Sequence, residues 1–334
     1  CGQDEWQNSQ TSWAKLLEDL RVSARFINYE ELAEKGVPAG IKVLILPFTL
    51  ALSDKEVASL ERFAARGGVV IADRDAGIFD GHGRKRSEKE RLEKLKFVKT
   101  LDFSIARYNF VQSGGVGGEV SSSFSGDKKF IDLCRTRVKN LLAEGKVTSF
   151  VELRDAQGRE FGCTAKFRQD GPTKIYGFHE PAGVTPGRFK DMKAVKVTVK
   201  LPEKGHIFEV RSKRYIGHSD SFEMPLIPGW SMIYAVMPVK PEQLKVTLPG
   251  TVECGKSFKI GITLSPAKGP QVFRVMLFSQ DGREMKQFSA NYRFEDGSGK
   301  VEFFIPHNFK KGKYTVKAVH TATGIKGTKS LEIR

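Results

Sequence analysis

The sequence predicts a parallel α/β domain followed by antiparallel β-domains, and three observations carry that prediction. Residues 43–84 read in order as apolar strand, capped helix, strand and sharp loop, the unit from which open parallel sheets are built. From Lys146 the apolar period changes to two. After Pro241 about seven short strands with turn signals between them fill the rest of the chain. The expected domains are therefore 1–145, α/β; 146–240, an antiparallel β-sandwich; and 241–334, a β-sandwich of immunoglobulin-like type.

Taken in chain order, Trp13, Leu16, Leu17 and Leu20 give an opening amphipathic helix, ARFIN a strand and YEELAEKG a short helix. Val43–Leu46 is an all-apolar strand ending at Pro47, as expected where both faces are covered. Ser53 and Glu56 have capping-box spacing, and Val57, Leu60, Phe63 and Ala64 make one apolar face behind them. Gly67 and Gly68 supply the left-handed cap that ends this helix, and the strand Val69–Ala72 runs into Asp73, Arg74 and Asp75. The stretch RKRSEKERLEKLKFVKT interleaves charges at spacings suited to a solvated helix. SGGVGGEVSSSFSG, residues 113–126, reads as a flexible loop; no Lys-Ser or Lys-Thr closes it, so it is not a nucleotide-binding P-loop. A helix over 127–144 then presents Phe130, Leu133, Cys134, Val138, Leu141 and Leu142, with Cys134 as a buried small hydrophobe.

The composition excludes several classes. At 40% hydrophobic and 28% charged, the chain has no run near the roughly 18 apolar residues of a membrane-spanning helix. Cys1, Cys134, Cys163 and Cys254 are too scattered for a paired-cysteine zinc site, and the six histidines show no ligand spacing. No metal or other cofactor is expected. The net charge of +16 resides almost wholly in 146–334, where lysines alternate along strands and mark a solvent face. An acidic polysaccharide is the polyanion such a surface would suit, and nucleic acid is not expected because no motif supports it. Strand alternation puts Trp230 and Tyr234 in the core, with stacking on a sugar ring as the alternative, and His218 and Asp220 read as turn residues.

LILPFTLALSDKE, FAARGGVVIAD and AGIFDGHGR resemble the trimerisation domain of family 42 glycoside hydrolases, the β-galactosidase type. That domain is similar in fold to class I glutamine amidotransferases and thus flavodoxin-like. HIFEVRSKRYIGHSD resembles the β-domain that comes after it in such enzymes. The resemblance implies self-association, a trimer being the family's form, and a catalytic (β/α)8 barrel elsewhere on a parent chain. Such a barrel takes about 250 residues of strand–helix repeats, which this sequence does not contain, so no catalytic residue is expected here. The amidotransferase cysteine is also missing, since DRDAGIFDGHG follows the strand. Asp73, Asp75, Asp80 and His82 do lie just past a parallel strand, where open sheets place ligands. They form a candidate ligand or interface loop, and a hydrolase using Asp73 and Asp75 is a third reading. Cys1 followed by polar GQDEWQNSQ suits either a trimmed parent or a bacterial lipoprotein, and a periplasmic or extracellular location fits both readings.

Overall fold

A computed structural model describes residues 2–109, 128–179, 193–227 and 229–334. They divide into two compact units, Cys1–Phe150 and Val151–Arg334. The glycine- and serine-rich stretch 113–126 lies outside the described residues.

In the first unit, β1 (Val43–Leu46), β2 (Val69–Ala72) and β3 (Val98–Thr100) form a parallel sheet in the order β1-β2-β3. Every residue of β2 is buried, because alternate side chains enter different cores. Val69 and Ile71 join Trp13, Leu16 and Leu20 of the opening helix region α1 (Gly2–Asp19), and Val138 and Leu142 of α5 (Lys128–Glu144). Val70 and Ala72 join Leu32 of α2 (Tyr29–Lys35) and Leu60 and Phe63 of α3 (Asp54–Ala65). Helices thus cover both faces of the sheet.

The local signals around α3 act as their chemistry dictates. The Ser53 side chain accepts the Glu56 backbone N–H while the Glu56 carboxylate accepts that of Ser53. At the other end Gly67 has φ +87°, and the Gly67 and Gly68 N–H groups bond the carbonyls of Ala64 and Phe63. That pattern, a Schellman cap, satisfies carbonyls the helix leaves free.

Three expectations for this unit change. ARFIN is not a strand: residues 22–28 have no regular structure, and Phe26 is 84% exposed. The basic stretch gives only the short α4 (Glu88–Lys94), capped by Ser87, and then β3. Leu133 lies on the exposed side of α5, whereas Cys134 is fully buried.

The second unit is all β. Six strands form one antiparallel sheet: β4 (Glu152–Arg154), β5 (Thr164–Asp170), β6 (Thr173–His179), β7 (Val195–Glu209), β8 (Arg214–Leu226) and β9 (Met232–Met237). Two stacked sheets were expected here. A single sheet suffices because β7 has 15 residues and its register shifts between Lys200 and Gly205. Before the shift β7 pairs with β4, and after it with β9, so one long strand serves both ends.

Two side chains of this sheet lie elsewhere than their local sequence suggests. His218 sits within β8 rather than a turn, opposite His206, with the rings stacked at 4.4 Å. Trp230 is 56% exposed, in contrast to the fully buried Tyr234.

The last eight strands form a sandwich. One sheet orders β10 (Gln243–Thr247), β12 (Ser257–Ser265) and β15 (Ser298–Phe304). The other orders β11 (Thr251–Val252), β17 (Lys326–Ile333), β16 (Gly312–His320), β13 (Gln271–Phe278) and β14 (Ala290–Phe294). Ile260, Ile262, Phe273, Val275, Val316 and Leu331 fill the core between them. Arg293 reaches back to β5 with a two-pronged pair, Nε to Asp170 Oδ2 at 3.0 Å and Nη2 to Oδ1 at 2.7 Å.

Candidate functional site

The loop after β2 is built from the strand outward, and each of its three aspartates is engaged by the scaffold. Asp73 is 2% exposed. Its Oδ1 accepts the Phe48 backbone N–H at 2.8 Å, and its Oδ2 accepts the Ser9 hydroxyl of α1. Asp73 therefore fastens the turn after β1 to the helix lying over the sheet.

Asp75 points outward and takes Arg91 Nη1 at 3.0 Å. Asp80 turns back on its own loop: Oδ1 accepts the N–H groups of His82 and Arg84, both at 2.9 Å, and Oδ2 accepts Arg84 Nε. The Arg84 backbone N–H, with help from that of His82 and the Arg84 side chain, holds the Asp80 carboxyl below the usual carboxylate range. The His82 ring is exposed and contributes only its backbone to this turn.

The four residues therefore do not converge on one point. Among the described residues no group of three or more His, Cys, Asp or Glu is arranged to hold a metal ion. A groove lined by Val37, Ile41, Phe63, Arg66 and Glu144 opens instead beside the starts of β1 and β2, at the opposite end of the strands.

Two structural centres escaped the sequence reading. Arg86 is buried, although it sits in the most basic stretch of the unit. Its Nη1 donates to the carbonyls of Gly77 and Phe79 at 3.2 and 2.8 Å, and its Nη2 to Asp54 Oδ1 at 2.9 Å. It thereby clamps the loop carrying Asp75 and Asp80 onto the start of α3. Lys94 and then Arg86 lower the pKa of Asp54 by donating to its carboxylate. A methionine at 86 keeps the packing but leaves the Gly77 carbonyl without a donor and the Phe79 carbonyl with the Leu52 N–H alone. Arg86→Met is expected to lower unfolding free energy by about 2 kcal/mol, read from urea titration.

The other centre is Asp19. It accepts Lys15 Nζ at 2.6 Å, Tyr108 Oη at 2.7 Å and Arg135 Nη2 at 3.2 Å, joining α1, α5 and the segment before residue 109. Burial, and then the Asp19 charge, push the Tyr108 hydroxyl far above its ordinary pKa, so it stays protonated and donates. Only the spacing of Asp19 from Lys15 was visible in the sequence, since Tyr108 and Arg135 arrive from distant segments.

No family model matches the chain, and no curated protein matches it. Solved structures similar to parts of it include an exo-carrageenase of glycoside hydrolase family 42 from Bacteroides ovatus. That match has 14% identity and a TM-score of 0.37 over 68% of this chain and 26% of that one. A superoxide reductase (neelaredoxin) from Ignicoccus hospitalis matches with 12% identity and a TM-score of 0.22, over 28% of this chain and 82% of its own. A chitin-binding domain from Burkholderia pseudomallei matches with 13% identity and a TM-score of 0.18, over 25% of this chain and 56% of its own. The chain spans about a quarter of the length of the carrageenase, by the 26% coverage.

Proposed function

We propose that this chain is a non-catalytic oligomerisation and accessory region of a carbohydrate-degrading protein, of the kind found behind the barrel in β-galactosidase-type glycoside hydrolases. In this reading 1–145 is a flavodoxin-like, amidotransferase-like domain that holds subunits together. The domains 146–240 and 241–334, the latter immunoglobulin-like, flank a glycosidase barrel on the same parent chain. The reading is carried by the way Asp73, Asp75 and Asp80 are used: each is committed to a hydrogen bond or ion pair that shapes the loop. The first unit also leaves Trp6, Phe26, Tyr29, Leu92 and Leu133 exposed, apolar surface of the kind that subunit contacts cover.

Sedimentation velocity from low to high micromolar protein tests the proposal. The expected result is one discrete assembly, a trimer in the family-like case, whose size is indifferent to galactosides. A monomer at every concentration would overturn it.

A second reading rests on Trp230, whose indole stands in solvent beside β9 on the basic unit. An exposed indole is a platform for the apolar face of a sugar ring, and the net positive charge of the unit suits an anionic one. Alginate binding that weakens steeply with salt and is lost in Trp230→Ala would favour a glycan-binding protein over a subunit clamp.

A further inference from the structure

The β1 strand has the sequence of a central strand but the position of an edge strand. VLIL contains no proline, no charge and no bulge, the features that keep natural sheet edges from pairing with other chains. The sheet nevertheless ends there.

The hydrogen-bond pattern shows which groups are left over. The Val69 N–H donates to the Lys42 carbonyl at 3.0 Å, and β1 and β2 run in register from Val43↔Val69 to Leu46↔Ala72. In a parallel ladder alternate residues face one neighbour, so Lys42, Leu44 and Leu46 bond toward β2. Val43 and Ile45 turn their N–H and C=O groups the other way, where no described residue pairs with them.

A second stretch of backbone is also unpaired among the described residues. Val22 packs on the core under α1, and Ile27 on the core under α2 and α3, so the segment between passes from one face of the sheet to the other. α2 follows this segment, and the next strand in the chain is β1, the edge strand. Residues 23–27 form no backbone–backbone bond among the described residues, and Ser23, Ala24, Arg25 and Phe26 are exposed. One added strand between β1 and this segment would satisfy both stretches.

The direction of α1 says what that strand is attached to. Ser9 and Glu5 meet Asp73 and Arg74, the residues just past the end of β2. The beginning of α1 therefore lies at the C-terminal ends of the strands. A strand leading into α1 ends at that same level and runs parallel to β1. Strand, α1 and residues 22–27 would then make a crossover of the common strand–helix–strand kind.

We propose that the outer edge of β1 is a slot for one parallel β-strand, and that its occupant is carried by polypeptide immediately N-terminal to α1. The slot takes an apolar strand of about five residues, the usual length, with backbone bonds to Val43 and Ile45. This inference is independent of any carbohydrate role.

Amide hydrogen exchange tests it, comparing the 334-residue chain with one extended by the roughly fifteen residues encoded upstream of Cys1. In the shorter chain Val43 and Ile45 are expected to exchange at least ~10-fold faster than Leu44 and Leu46. In the extended chain the four are expected to slow to a common rate. Fast exchange at Val43 and Ile45 in both forms would overturn the proposal, as would a cleaved leader ending at Cys1. Protection in the shorter chain that rises with protein concentration would assign the slot to a second copy and also overturn it.

Discussion

Replacing Asp73 by alanine is expected to destabilise the first unit by about 3 kcal/mol, because a buried acceptor of two donors disappears. The Phe48 N–H and the Ser9 hydroxyl would be left facing a methyl group in a site closed to water. Phe48 raises the cost further. Its φ of +45° is the left-handed region, uncommon for a residue with a side chain, and the Asp73 bond to its own N–H helps to hold it there. Asp73→Asn separates this role from a chemical one. The amide keeps an oxygen for Phe48 and an NH2 that donates to the Ser9 oxygen, so most of the stability should return. Urea unfolding followed by fluorescence reads both variants, since Trp13 is buried in the same unit. An alanine variant with an unchanged midpoint would remove Asp73 from the scaffold and restore the hydrolase reading of Asp73 and Asp75.

The elements that were legible in the sequence are those whose signals are local. Ser53 with Glu56, and Gly67 with Gly68, fix both ends of α3 through bonds made within five residues. Trp13, Leu16 and Leu20 mark a helix face by spacing alone. What was not legible depends on partners far away in the chain. ARFIN has strand composition, but strands exist only by pairing, and no described neighbour offers Val22–Ile27 a ladder. Arg86 looks like one more surface charge until the carbonyls of Gly77 and Phe79 are brought to it by the loop. The β-strands from Lys146 onward alternate as read, but alternation does not say how many sheets they form. The continuity of β7 through Gly205 decided that.

The same holds for the candidate loop. Three aspartates within eight residues of a strand end suggested a shared site, yet side-chain direction sends Asp73 inward, Asp75 to Arg91 and Asp80 back on the turn. Composition located the loop, and only the backbone path showed what its carboxylates hold.

Acid should weaken the second unit through His320, which is 1% exposed at the end of β16. Gln271 donates its own amide to the carbonyls of Lys268 and Gly269, so its Oε1, 2.9 Å from His320 Nε2, must be the acceptor. The ring therefore carries its proton on Nε2, and Nδ1 accepts the Thr323 hydroxyl at 2.8 Å. A second proton has to go on Nδ1, where that hydroxyl points. Burial, and then the nearby Lys213 charge, lower the His320 pKa from 6.5 to about 4. The unfolded chain consequently binds a proton that the folded one refuses between these values. Stability is full above pH 6.5, declines as pH falls, and levels off near pH 4 once the folded ring also protonates. The whole loss from this residue is about 3 kcal/mol, at 1.4 kcal/mol per pH unit of displacement. Urea midpoints for the native chain and for His320→Gln, measured between pH 4 and 7, isolate the contribution of this one ring. Glutamine cannot titrate, so its curve should be flatter by about one proton across the window, even if it starts lower at pH 7. Parallel curves would mean that protonation is absorbed without cost, and that the Gln271–His320–Thr323 chain does not brace this end of the sandwich.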